Sequence, residues 1–172
     1  MAKRFFPVLF ILALIIGCNS HKDKEIFDSA EKNFNSKNYI KAIAEYEQVI
    51  NEYASSDYAE KSLLKVGSMY QMLLVPNISR ETSNTKAVQF YKKLFVDFPK
   101  SPDAPRAIFM AGFILANDLN KFEEAKSAYK TFLEKFPNDP LTPQVKVELE
   151  NVGKTPEEIL EQKIASRKEN IK

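Results

Sequence analysis

The sequence predicts an all-α solenoid of three helix pairs followed by a C-terminal capping helix region. Three observations carry that expectation. One apolar stripe, with a small residue and a tyrosine at fixed places, occurs three times; proline-rich breaks separate the units; and two glycines stand where helix interiors are expected.

The chain opens with Met1, Ala2, Lys3 and Arg4 and an apolar run from Phe5 to Gly17, then reaches Cys18, the one cysteine of the sequence. Thirteen apolar residues are too few to cross a bilayer, which takes ~20, but suit the h-region of a secretory signal. With Ile15, Ile16 and Gly17 before Cys18, this segment resembles a bacterial lipoprotein signal with its lipobox. The resemblance implies removal of residues 1–17, lipid on Cys18 and attachment to a membrane through that lipid. The alternative is an uncleaved anchor helix or a core segment with a chance cysteine. Residues 18–25, from Cys18 through Asn19 to Glu25, hold no further apolar side chain and read as a solvated tether. His21 lies inside it with no neighbouring ligand. Asn19 is not the aspartate associated with inner-membrane retention, so the expected location is the cell envelope, at the outer membrane facing the periplasm. Surface display is the other location such a signal allows.

The chain carries 25 basic and 23 acidic residues, and Lys3 and Arg4 account for the excess. A neutral remainder argues against nucleic acid, whose binding needs a basic face to displace counterions. With Cys18 acylated no thiol is left for a disulfide, redox pair or zinc-thiolate site. Catalytic motifs are absent too: no Gly-rich phosphate loop, nucleophile elbow or HExxH occurs. Glu123-Glu124 and Glu157-Glu158 read as solvated helix ends, and Asn77-Ile78-Ser79 as an accidental match to a glycosylation acceptor. The expectation is therefore a non-enzyme without catalytic residues, metal or small-molecule cofactor.

The solenoid is expected over 26–152. Ala42, Tyr46, Val49, Ile50 and Tyr53 are spaced i, i+4, i+7, i+8 and i+11. Ala87, Tyr91, Leu94, Phe95 and Phe98 repeat those offsets, as do Ala125, Tyr129, Phe132, Leu133 and Phe136. These spacings trace one face of a helix, and a small residue at a constant register marks a close helix crossing. Enlarging Ala87 should therefore be costly, whereas Ala128 is expected on the other face of its helix. The preceding helix of each unit is looser: Ile26, Ser29 and Ala30; Leu63, Val66, Gly67 and Tyr70; Ile108, Ala111, Gly112 and Leu115. Glycine costs ~1 kcal/mol against alanine in a helix interior, so Gly67 and Gly112 imply close approach of the partner helix.

Pro99, Pro102 and Pro105 recur 38 residues later as Pro137, Pro140 and Pro143, ending one pair and starting the next. Ser55, Ser56 and Asp57 supply cap chemistry at the first break. Leu74 to Asn84 is read as a lengthened turn inside the second pair. The C-terminal region 153–172 reads as a capping helix and polar tail: Gly153 suits a left-handed stop, and Thr155, Pro156 and Glu158 form a capping-box start.

The small positions, tyrosines and terminal proline, here Gly67, Tyr70, Ala87, Tyr91 and Pro99, resemble the tetratricopeptide repeat (TPR) over about Glu25 to Val152. The chain departs from it in lacking tryptophan, in wider repeat spacing and in the long second turn. Such repeats on a lipoprotein look like the BamD-like lipoproteins of outer-membrane β-barrel assembly and the periplasmic TPR partner of the Tol-Pal system. The resemblance implies a right-handed solenoid whose first helices line a concave face. Aligned by the small residues, these helices would present Phe27, Glu31, Phe34 and Asn35, then Leu64, Ser68, Gln71 and Met72, then Phe109, Phe113 and Asn117. The expected role is a lipid-anchored scaffold that binds another envelope protein there, in outer-membrane protein assembly or envelope maintenance. The other reading of the face is packing between repeats. The alternative function is a ligand-capture lipoprotein of nutrient uptake, disfavoured by the lack of tryptophan for stacking sugars.

Overall fold

The computed structural model describes residues 21–169. Eight helices follow one another among them: α1 Lys22–Asn35, α2 Tyr39–Glu52, α3 Asp57–Gln71, α4 Arg80–Asp97, α5 Ala104–Asn117, α6 Phe122–Lys135, α7 Thr142–Asn151 and α8 Pro156–Glu169. Each of α1 to α6 packs on its successor, and α1 also lies against α3. The result is the expected all-α, TPR-like stack of helix pairs. The lipobox and Cys18 lie outside the described residues.

The stripe is the core. Ala42, Ala87 and Ala125 are fully buried, as are Tyr46, Leu94, Tyr129 and Phe132. The interior glycines have a specific cause. A Cβ on Gly67 would stand 3.0 Å from Cε1 of Tyr91, and one on Gly112 only 2.6 Å from Cε1 of Tyr129. In the second and third pairs the repeated tyrosine of the second helix therefore packs directly against the glycine of the first. Ala128 does not lie on an outer face as expected: it is buried, and its Cβ is 3.3 Å from the same added Cβ at Gly112. Three residues after Ala125, it shares that residue's side of the helix.

The proline breaks start helices as expected, with Pro105 and Pro143 in the first turns of α5 and α7. Ser56 caps α3, accepting from the Ala59 N–H at 3.1 Å. The turn between α3 and α4 is shorter than expected. Arg80 to Asn84 belong to α4, which is capped by Ser79 accepting from the Thr82 N–H at 3.0 Å. The serine of the apparent glycosylation match is thus a helix cap, and inside α4 Ser83 donates to the Tyr70 carbonyl at 2.7 Å.

The first helices of the first two pairs end without glycine. The Lys37 N–H bonds Phe34 O and the Asn38 N–H bonds Asn33 O, at 2.9 and 2.8 Å. The Leu73 and Leu74 N–H groups do the same to Tyr70 O and Met69 O, at 3.0 and 3.1 Å. Both are Schellman closures, with Lys37 and Leu73 at φ 61° and 57°.

At the ends the structure corrects two boundaries. Residues 22–25, expected in the tether, form the first turn of α1, where Asp23 and Glu25 favour the positive helix terminus and Lys24 pairs with Asp28. His21 is the N-cap residue and its side chain makes no capping bond. At the other end, α7 seals α6: Val145 is fully buried, and Leu141, Leu149 and Val152 pack on the core. The capping box of α8 forms, with Thr155 N–H to Glu158 Oε2 at 2.7 Å and Glu158 N–H to Thr155 Oγ1 at 3.2 Å. Yet Leu160 and Ile164 of α8 remain 59% and 46% exposed, so this helix extends beyond the seal rather than making it.

Candidate protein-binding face

The first helices carry a row of partly exposed side chains, two of whose polar members, Glu31 and Gln71, are tied to the helices behind them. Glu31 of α1 accepts from the Tyr46 hydroxyl of α2 and pairs with Lys65 of α3, Nζ to Oε1 2.8 Å. One carboxylate thus joins three helices. Lys65 also stands 5.3 Å from the centre of the Phe34 ring, within cation–π range. In the second pair Gln71 takes the role of Glu31, its Oε1 accepting from the Tyr91 hydroxyl at 2.8 Å. Burial pushes the Tyr91 phenol up to about 12, so it stays a neutral donor. Burial first, then its bond to the Glu31 carboxylate, pushes Tyr46 up as well.

The apolar members do not behave alike. Phe27 is half-buried, its ring 5.5 Å from Tyr46 and 5.3 Å from Tyr58, and Leu64 is half-buried too. Phe109, expected at the same place in the third unit, is 6% exposed. It tilts against Phe113 and Tyr129 with centroids 6.2 Å from each. Phe109 is therefore a core residue, and the third unit offers Phe113, half-buried, and Asn117, exposed. Asn117 Nδ2 donates to the Phe113 carbonyl at 3.0 Å. Ser68 of α3, at the register of Phe113, is half-buried too. The structure thus groups Phe27, Glu31, Phe34, Leu64, Ser68 and Gln71 on adjoining helices, with Phe113 and Asn117 continuing the row.

Sequence reasoning missed Lys65, whose signal is its place one residue after the Leu64 register position. Two cavities also escaped it. One, of about 740 Å³, opens between the start of α2 and the α3–α4 connection, where Tyr39, Ile40, Leu74 and Pro76 are rimmed by Lys37 and Lys41. It is separate from the expected face. The other, of about 480 Å³, lies where Asn117 of α5 meets Glu148 of α7 and the start of α8.

Residues 19–155 match the family YfiO, outer membrane lipoprotein. The chain belongs to that family. No curated protein matches the chain individually. The matched segment begins at the residue after Cys18 and ends just before α8. Lipoproteins of this BamD-like family are non-catalytic envelope scaffolds of outer-membrane protein assembly. The chain is accordingly an outer-membrane lipoprotein facing the periplasm, with other envelope proteins as partners. Among the described residues no group of three His, Cys, Asp or Glu side chains could hold a metal ion, and no helix is long and apolar enough to cross a membrane.

Proposed function

We propose that the chain, held to the outer membrane by lipid on Cys18, grips a segment of another assembly protein along the first-helix face of α1 and α3, with Phe113 and Asn117 at its far end. The observation that carries this reading is the pairing of restraint with exposure. Glu31 and Gln71 are fixed by buried tyrosines, while Phe27, Phe34, Leu64 and Ser68 keep part of their surface open beside them. Side chains held in place before binding lose less entropy on contact, and partly open aromatics between fixed polar groups have the composition of an interface core.

The anchor complements this placement. Lys22 is four residue steps from Cys18, and an extended chain spans at most ~3.6 Å per residue. The start of α1 then stands within about 14 Å of the lipidated cysteine, so the face works close to the membrane.

Two changes test the reading. Cys18→Ala should abolish fatty-acid labelling and membrane retention while residues 22–151 stay folded; a variant that still labels would remove the anchor. Leu64→Ser together with Gln71→Ala should strip the co-purifying assembly protein from detergent extracts, and an unchanged set of partners would remove the face.

A further inference from the structure

The cavity at the C-terminal end of the solenoid contains a feature that packing alone does not account for. Val145, Glu148 and Leu149 of α7, with Val152 just after it, form the inward stripe, and an acid occupies one of its four places. Glu148 is half-buried and has no ion-pair or hydrogen-bond partner among the described residues. Burial pushes its carboxyl pKa up. An unpaired, partly desolvated carboxylate is costly, and a helix that only had to seal α6 would be more stable with an apolar residue there. Close by, the Tyr129 hydroxyl is fully buried without a partner among the described residues, and the Glu148 charge adds to the burial that holds it protonated.

Glu148 opens on the 480 Å³ cavity, within the ~300–1,000 Å³ range of ligand sites. Phe122, Val152 and Ile159 give it apolar walls, while Asn117, Asn120 and Asn151 stand among them. Lys154, the cation in this lining, is engaged elsewhere, donating to Gln162 Oε1 at 2.6 Å. The start of α8 offers little to an anion, because its own Glu158 occupies the Thr155 N–H.

We propose that this cavity receives a cationic side chain, a guanidinium or ammonium on an apolar stem, presented by the assembly partner. The stem would lie along Phe122, Val152 and Ile159 and the head would reach the Glu148 carboxylate. That the partner supplies the cation rests on the scaffold reading above, whereas the chemistry of the cavity does not.

The test uses the full chain in detergent micelles, isotope-labelled, with N-acetylarginine methylamide as probe and N-acetylnorleucine methylamide as its uncharged counterpart. The arginine probe should give saturable amide shifts at Asn117, Asn120, Asn151 and Gly153. Glu148→Gln should weaken it roughly tenfold, the loss expected when a charge-assisted hydrogen bond is removed, without lowering the melting temperature. No saturable shift in the parent chain, equal binding by the variant, equal binding of the norleucine probe, or a fall in melting temperature would each overturn the proposal. Because no partner enters this assay, its failure is separate from a failure of the co-purification experiment.

Discussion

In the first helix pair the repeated tyrosine, Tyr46, ends on the Glu31 carboxylate, which also holds Lys65 of the next pair. In the third pair Tyr129 occupies the same place in the same stripe, and its hydroxyl has no partner among the described residues. Both rings are fully buried, so the difference lies in what the neighbouring first helix offers. α1 and α3 supply Glu31 and Gln71. At the corresponding register α5 supplies Phe113 and Ala116, neither of which has a side-chain acceptor. The stripe therefore specifies how the helices cross, and the residues one step off it specify what the surface can hold. The N-terminal half is a fixed polar and aromatic row, and the C-terminal half a packed aromatic core beside a cavity with an unpaired acid.

The largest effect expected from this contrast is at the register shared by Phe27, Leu64 and Phe109. Phe109→Ala should cost ~3–5 kcal/mol, as for a truncated buried phenylalanine, whereas Leu64→Ala should cost ~1 kcal/mol because its side chain is only partly buried. Equal losses in chemical denaturation would break the distinction between the two halves. Next, Ala87→Leu and Ala128→Leu should each cost ~1–3 kcal/mol by overpacking a crossing; an unaffected Ala128 variant would put that residue back on an outer face.

The smallest effects are the sharpest. Tyr46→Phe removes a satisfied hydrogen bond and should cost ~1 kcal/mol, whereas Tyr129→Phe removes a buried donor with no acceptor and should leave stability unchanged or raise it by up to ~1 kcal/mol. In a domain of this size 1 kcal/mol moves the melting temperature by ~2–4 °C, enough to resolve the two directions. If both variants fall together, the Tyr129 hydroxyl has a partner in solution and the contrast is lost.

The parts of this molecule that were legible from sequence are those in which one residue type recurs for one steric reason. Ala42, Ala87 and Ala125, the glycines under Tyr91 and Tyr129, and the proline starts of α5 and α7 are of this kind. What was not legible depends on neighbours distant in sequence. Phe109 carries the same periodicity signal as Phe27, and its burial beside the rings of Phe113 and Tyr129 shows only in the folded chain. Lys37 and Leu73 give no turn signal, since left-handed backbone there is imposed by the Schellman bonds rather than invited by glycine. The charged start of α1 lacks apolar residues and still extends the helix by a turn, through its own charge pattern. Glu148 did leave a trace, an acid within the Val145, Leu149 and Val152 stripe, but its isolation shows only when the surrounding helices are in place.

If the first-helix face grips an assembly protein, site-specific photo-crosslinking in growing cells will capture that protein on it. A photoreactive amino acid at Ser68 or Gln71 should give an adduct containing an outer-membrane assembly protein, while the same probe at Lys93, exposed on α4 away from that row, should give none. Absence of an adduct at both face positions, or the same adduct from Lys93, would contradict the account.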